Sequence, residues 1–196
     1  EISCSLVGSE MCIRDRKHIV NGQLKIPPNM WYIGTANNDD STFAITDKVY
    51  DRAMPINIDT KGVPFDAPLT DSVYISYKHF EYILNAAKVQ FVVSEENLKK
   101  IALLDDYVIE HFRIAFGNRI VKQLRDFVPA YVGTGGTELD GLDYVLARKV
   151  FRKFESLNLS YIRDEIDGLC AYIDELFGEE NMTESKDYLR MLKKLV

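Results

Sequence analysis

From Ser76 to the end of the chain, apolar residues recur at steps of three and four, the spacing that lines one face of an α-helix. Behind Ser94 the series runs Leu98, Ile101, Leu104, Val108 and Phe112. Ile120, Val121, Leu124, Phe127 and Val128 repeat it and are expected to stop at Pro129, because proline cannot donate to the turn before it. Leu139, Leu142, Leu146, Val150 and Phe154 form a third series, and Leu159, Ile162, Ile166, Leu169, Ile173 and Leu176 a fourth. Ser76 and Ser94 are candidate N-caps, and Thr183 could cap a last short helix. The pattern predicts a helical domain of about five helices.

Upstream the text changes. Trp31, Tyr32 and Ile33 form a short apolar run after Pro27 and Pro28, and Pro55 to Ile58 form another, so two buried strands are expected. Between them Thr46 can cap a short helical turn from Asp47 to Ala53, with the Asp47 charge well placed at its start. Gly62, Pro64 and Pro68 mark residues 60–75 as a loop and the seam between the two parts. Two strands do not make a stable open sheet. The expected fold class is therefore an α/β fragment, an incomplete sheet, followed by a mainly α-helical domain.

Composition narrows the picture. At 46% hydrophobic and 28% charged over 196 residues, the chain has enough apolar surface for a packed core, which excludes a disordered chain. Its formal charge of −6 gives no global positive field that would draw it to nucleic acid. The apolar runs are far shorter than the roughly 20 residues a membrane span needs. Residues 1–16 hold two of the three cysteines, Cys4 and Cys12, but no sustained periodicity and no signal-peptide pattern. The stretch Leu6 to Arg16 resembles the peptide produced when sequencing-adapter DNA is translated, so residues 1–16 are expected to be a non-native tail. Without them Cys170 is the one remaining thiol, expected to be buried, and one cysteine builds neither a disulfide framework nor a cysteine zinc site. A cytoplasmic setting follows as the expectation. The expected divisions are 1–16, 17–75 and 76–196.

Asn37, Asn38, Asp39 and Asp40 follow the first predicted strand, at the carboxyl end where α/β sheets place ligand groups; by residue type alone they also suit a solvated turn. Gly133-Thr134-Gly135-Gly136-Thr137 lacks the Gly-Lys-Ser/Thr ending of a phosphate-binding loop and reads as a linker between helices. His18, His79 and His111 have no ligand spacing with one another.

Three phrases occur in order: Ile26-Pro27-Pro28-Asn29, Gly34-Thr35-Ala36-Asn37-Asn38-Asp39 and Lys48-Val49-Tyr50-Asp51-Arg52-Ala53. In this order and spacing the sequence resembles the McrB-like AAA+ NTPases, the ATP- or GTP-hydrolysing motors of modification-dependent restriction systems. The resemblance covers about residues 20–155. It implies that the chain is the C-terminal part of such a motor, with the rear of the AAA+ nucleotide-binding core in 17–75 and the helical lid and C-terminal helices in 76–196.

The resemblance assigns Asn37 as sensor 1, with Asn38 the alternative if the register slips by one. An amide can donate and accept hydrogen bonds, and so hold an attacking water near a phosphate without adding negative charge. Asp39 and Asp51 would support the turns around it. Arg52 matches the arginine finger that reaches a neighbouring subunit's site, where a permanently charged, forked guanidinium grips phosphate oxygens. The alternative for Arg52 is an intramolecular pair with Asp51 or Asp47. Arg119, in Phe116-Gly117-Asn118-Arg119, matches sensor 2, with Arg125 six residues on as a competitor; Leu142 to Val150 looks like a late lid helix that serves packing.

The implied cofactor of the complete protein is ATP or GTP with Mg²⁺. The implied partners are a homo-oligomeric ring, a hexamer, together with a nuclease subunit and DNA bound through other regions; no membrane is implied. Neither a Walker A loop nor a Walker B acid occurs in the 196 residues, so the chain by itself is expected to be inactive as an NTPase. Two other readings stay open: a non-enzymatic helical protein-interaction module, and a nucleic-acid-binding helical domain.

Overall fold

Three hydroxyls turn back on the helices that follow them. Ser76 Oγ accepts from the His79 N–H at 3.2 Å, Ser94 Oγ from the Asn97 N–H at 3.2 Å, and Thr137 Oγ1 from the Asp140 N–H at 3.1 Å. Each satisfies a backbone donor that the first turn of a helix leaves unpaired. The computed structural model describes residues 19–20, 23–24, 26–27, 29–36, 47–50, 52–56, 58 and 61–194. Backbone contacts divide the chain into two units, Glu1–Phe43 and Ala44–Val196.

In the first unit β1 (Ile19–Val20) and β2 (Gln23–Leu24) pair antiparallel, with Ile19 opposite Leu24 and Val20 opposite Gln23. Trp31–Ile33 is not a strand, and Ile33 is 91% exposed. In the second unit the described residues of Pro55 to Ile58 are irregular as well, with Ile56 76% exposed. Both strand expectations are corrected by the same physics. An apolar run becomes a strand only where a neighbouring strand takes its backbone hydrogen bonds, and the one sheet among the described residues contains neither run.

The second unit is mainly helical. It contains α1 (Asp47–Tyr50), α2 (Tyr77–Gln90), α3 (Glu95–Phe112), α4 (Gly117–Gly133), α5 (Glu138–Lys149), a 3₁₀ helix (Phe151–Ser156), α6 (Leu159–Phe177) and α7 (Thr183–Lys194). Their apolar stripes meet in one core. Leu104 and Val108 of α3, Leu124 and Val128 of α4, Leu142 and Leu146 of α5, Ile166 and Ile173 of α6, and Leu189 of α7 are all fully buried. Helix α4 packs on α2 and α5, α7 packs on α5 and α6, and α3 packs on α6. At about 1.5 to 3 kcal/mol per fully buried large side chain, this core supplies the main stabilisation.

Two boundaries depart from the periodicity. Helix α4 runs through Pro129 to Gly133. Proline removes one helical hydrogen bond, at a cost of about 3 kcal/mol, but here Val128 and Pro129 are both buried in the core and the turn beyond packs Tyr131 against Phe127. Tertiary packing outweighs the local penalty. The series ending in Phe154 does not continue as α-helix either. After Val150 the chain tightens to a 3₁₀ helix, in which positions three apart eclipse, so that Phe151 and Phe154 both enter the core. Arg152 and Glu155 then lie off that apolar edge.

The Gly133–Thr137 stretch joins α4 to α5 as a tight turn. Gly135 takes a φ of 101°, and a Cβ on Gly136 would fall 2.2 Å from the Tyr131 ring, so both positions require glycine. Cys170 is buried and its thiol is unpaired; burial lifts its pKa, which makes it an inert core residue.

Helix α7 is capped from a distance. Thr183 is already its first helical residue, so it does not fill the capping role that the sequence suggests. Instead the buried carboxylate of Asp143, on α5, accepts from the Glu184 N–H and the Ser185 N–H, both at 2.8 Å. Burial raises the Asp143 pKa above its ordinary value, and the bonds from Ser185 and Glu184 offset that only in part. Asp143→Ala, which leaves one buried and one partly buried donor unpaired, should cost about 2 to 4 kcal/mol in urea denaturation at neutral pH. Asp143→Asn keeps one acceptor and should cost about half as much. Since the folded pKa is raised, the protonation-linked part of the carboxyl's contribution is full at low pH and falls as pH rises through the folded pKa, while the bonds to the two N–H groups remain. The wild-type advantage over Asp143→Asn should therefore shrink from acid towards neutral pH.

Candidate functional site

The turn that carries Arg52 is short and weakly anchored by apolar contacts. Helix α1 is four residues long, and the chain leaves it through bonds from the Arg52 N–H and the Ala53 N–H to the Val49 carbonyl, at 3.0 and 2.8 Å. Val49, Met54 and Ile56 are exposed. A single turn is far below the ~12 to 15 residues at which a helix becomes even marginal in water. Something else must hold it.

Lys149 and Arg152 do so. The Lys149 ammonium, 4% exposed, donates to the Tyr50 carbonyl at 2.5 Å and to the Ala53 carbonyl. These carbonyls end the α1 turn, where the backbone carries partial negative charge and a cation is favoured. The Arg152 guanidinium lies over the Tyr50 ring, 3.7 Å from its centroid, and donates to the Tyr50 hydroxyl at 2.5 Å. Next to this pair, the Tyr188 hydroxyl donates to the Glu155 carboxylate. Burial, then Glu155, raises the Tyr188 pKa, so Tyr188 stays a protonated donor.

Arg52 is exposed on this turn and forms no ion pair with another described residue. Arg119 is exposed in the first turn of α4, and Arg125 is exposed further along the same helix. Asn37, Asn38, Asp39 and Asp51 lie outside the described residues, as do residues 1–16 and the Thr46 cap. For Asp47 the backbone alone is described.

Sequence reasoning assigned Leu142 to Val150 to packing and missed Lys149. The signal was present: Lys149 falls seven residues after Leu142 and four after Val145, on the buried face of α5. A lysine on an apolar stripe needs a buried acceptor.

A cleft of about 370 Å³ beside the turn is lined by Arg148, Arg152, Glu184, Asp187, Tyr188 and Met191. Arg148 pairs with Glu184 and stacks on the Tyr144 ring at 3.6 Å. Two arginines facing two carboxylates leave no net charge to select an anion. Among the described residues no group of three His, Cys, Asp or Glu side chains could hold a metal ion. No helix among them is long and apolar enough to cross a membrane.

No family model matches the chain, and no curated protein or solved structure matches it either.

Arg52 and Arg119 are exposed and lie outside the core. Arg52→Ala should shift unfolding free energy by less than about 0.5 kcal/mol in urea melts. Any larger loss would show that the side chain belongs to the scaffold.

Proposed function

We propose that the chain is the C-terminal part of a McrB-like AAA+ NTPase, contributing the sensor 1 segment, the arginine-finger turn and the helical lid. The observation that carries this reading is the ungapped order of the phrases Ile26–Asn29, Gly34–Asp39 and Lys48–Ala53. Two structural facts support it. The text downstream of Ser76 forms a helical body, and Arg52 stands exposed on a turn fastened to that body.

In this reading Arg52 acts in trans. It projects from its own subunit to the phosphate site of the next, where its charge offsets negative charge as it develops on the transferred group. Asn37 acts in cis, orienting water, with Asp39 and Asp51 bracing their turns. Arg119 is the lid cation. The working assembly is a homo-oligomeric ring, a hexamer, in the cytoplasm, with a nuclease subunit and DNA as further partners.

ATP or GTP with Mg²⁺ would be held mainly by a phosphate loop and an acid that these 196 residues do not contain. Among the described residues none forms a phosphate cradle, and the cleft beside α1 carries both signs of charge. The chain's own contribution is cations at a shared site.

The reading frame of the parent gene tests this directly. Upstream it should encode GxxxxGK[ST] and then an apolar strand ending in Asp-Glu. An unrelated upstream domain or a stop codon would return the chain to a helical interaction module. In the parent protein, Arg52→Ala should lower turnover by about 10³ to 10⁵. Mixing with subunits mutated in the Walker B acid should restore part of it, because the two lesions then fall in different sites. Asn37→Ala should lower turnover far more than nucleotide affinity. Absence of rescue at every mixing ratio would remove the trans role.

A further inference from the structure

Resting on that reading of Arg52, we infer that Lys149 and Arg152 are its positioning residues: a two-point latch from the helical body that sets where the finger turn stands. Helix α1 cannot order itself. It has one turn, and the neighbouring apolar side chains Val49, Met54 and Ile56 are exposed, so among the described residues neither helix propensity nor burial of these side chains holds it. What remains among the described residues is Tyr50 and the carbonyls at the turn's end, and both are gripped by cations from more than ninety residues away.

The two cations divide the work. Lys149 Nζ bridges the Tyr50 and Ala53 carbonyls, which flank Arg52 on either side in the chain. Fixing both fixes the direction in which the backbone at Arg52 leaves the turn. Arg152 grips the Tyr50 side chain by its ring face and its hydroxyl together, which stops rotation of the turn about its own axis. Lys149 ends α5 and Arg152 belongs to the 3₁₀ helix directly after it, between Phe151 and Phe154, both in the core. Both cations thus stand on rigid ground. The Arg52 side chain takes no part in the latch, so it is left exposed for another molecule.

A functional consequence follows. The helical body would report its own position to the finger turn of the same subunit through these bonds. A change in the packing of α5 against the 3₁₀ helix would then move Arg52 without any contact to Arg52 itself.

Hydrogen exchange on the full 196-residue chain tests the latch without nucleotide. In Lys149→Met the amides of Arg52 and Ala53 should exchange at least about tenfold faster, with amides of α3 to α6 unchanged. Methionine suits the buried site, since replacing a buried charge by an apolar side chain of similar size is commonly tolerated. Lys149→Arg should restore slow exchange at Arg52 and Ala53, and Arg152→Gln should give an intermediate rate. Unchanged exchange at these amides in Lys149→Met would overturn the proposal, as would acceleration spread evenly through α3 to α6. The finger reading fails separately. If Arg52→Ala leaves turnover of the parent protein intact while Lys149→Met still frees the turn, the latch stands and the role of Arg52 falls. If both readings hold, Lys149→Met lowers kcat in the parent protein with KM little changed, and Lys149→Arg recovers it.

Discussion

The helical unit depends on helix ends being closed by side chains from other helices, and the buried Asp143 carboxylate at the start of α7 is the strongest case. Every helix leaves unpaired N–H groups at one end and unpaired C=O groups at the other. Buried without partners, each would cost about 1 to 3 kcal/mol. Here Asp143 closes the start of α7, Glu138 accepts from the Ser94 N–H, the Ser94 hydroxyl and the Asn97 amide at the start of α3, and Asp105 accepts from the Phe116 N–H ahead of α4. At the opposite polarity, buried Lys186 donates to the Glu179 carbonyl just past α6 while pairing with Asp174, and Lys149 closes α1. Carboxylates sit at N-termini and ammonium groups at C-termini, as the helix dipole favours.

These contacts do something the apolar core cannot. Hydrophobic packing is non-directional, and two apolar stripes can slide by a turn at little loss of buried area. A carboxylate that accepts two N–H groups at 2.8 Å admits one register only. Asp143 therefore fixes α7 along α5, and Glu138 fixes α3 relative to the beginning of α5. Burying the Asp143 carboxylate costs free energy, which lifts its pKa, and the bonds from Ser185 and Glu184 offset part of that cost.

This division explains what could be read from the chain. Periodicity is a property of neighbouring residues, so α3, α4, α5 and α6 were legible from their steps of three and four, and the caps at Ser76 and Ser94 from hydroxyl type and place. The misreadings were all tertiary. Pro129 stays helical because of what it packs in, the Val150–Phe154 segment tightens so that two phenylalanines share one side, and Trp31–Ile33 is not paired into the sheet of the described residues. Asp143 and Lys149 fall inside the Leu142–Val150 stretch read as a packing helix, and it is their burial that places them opposite the ends of α7 and α1.

The candidate site shows the same split between residue and placement. Arg52 could be singled out from the phrase Lys48–Ala53 because its chemistry and local order are both in the text. Its orientation could not, because that is set by Lys149, 99 positions beyond Tyr50. A motif of six residues in a single helical turn does not carry enough local free energy to hold a side chain in one direction. It needs an external frame: the Lys149 half, held to backbone carbonyls, does not depend on which side chains the turn displays, while the Arg152 half requires Tyr50. The turn can thus expose Val49 and Arg52 while remaining in place, an arrangement that hydrophobic anchoring would forbid because it would consume those same side chains. Polar capping from a distance is what lets so short a segment be both fixed and available.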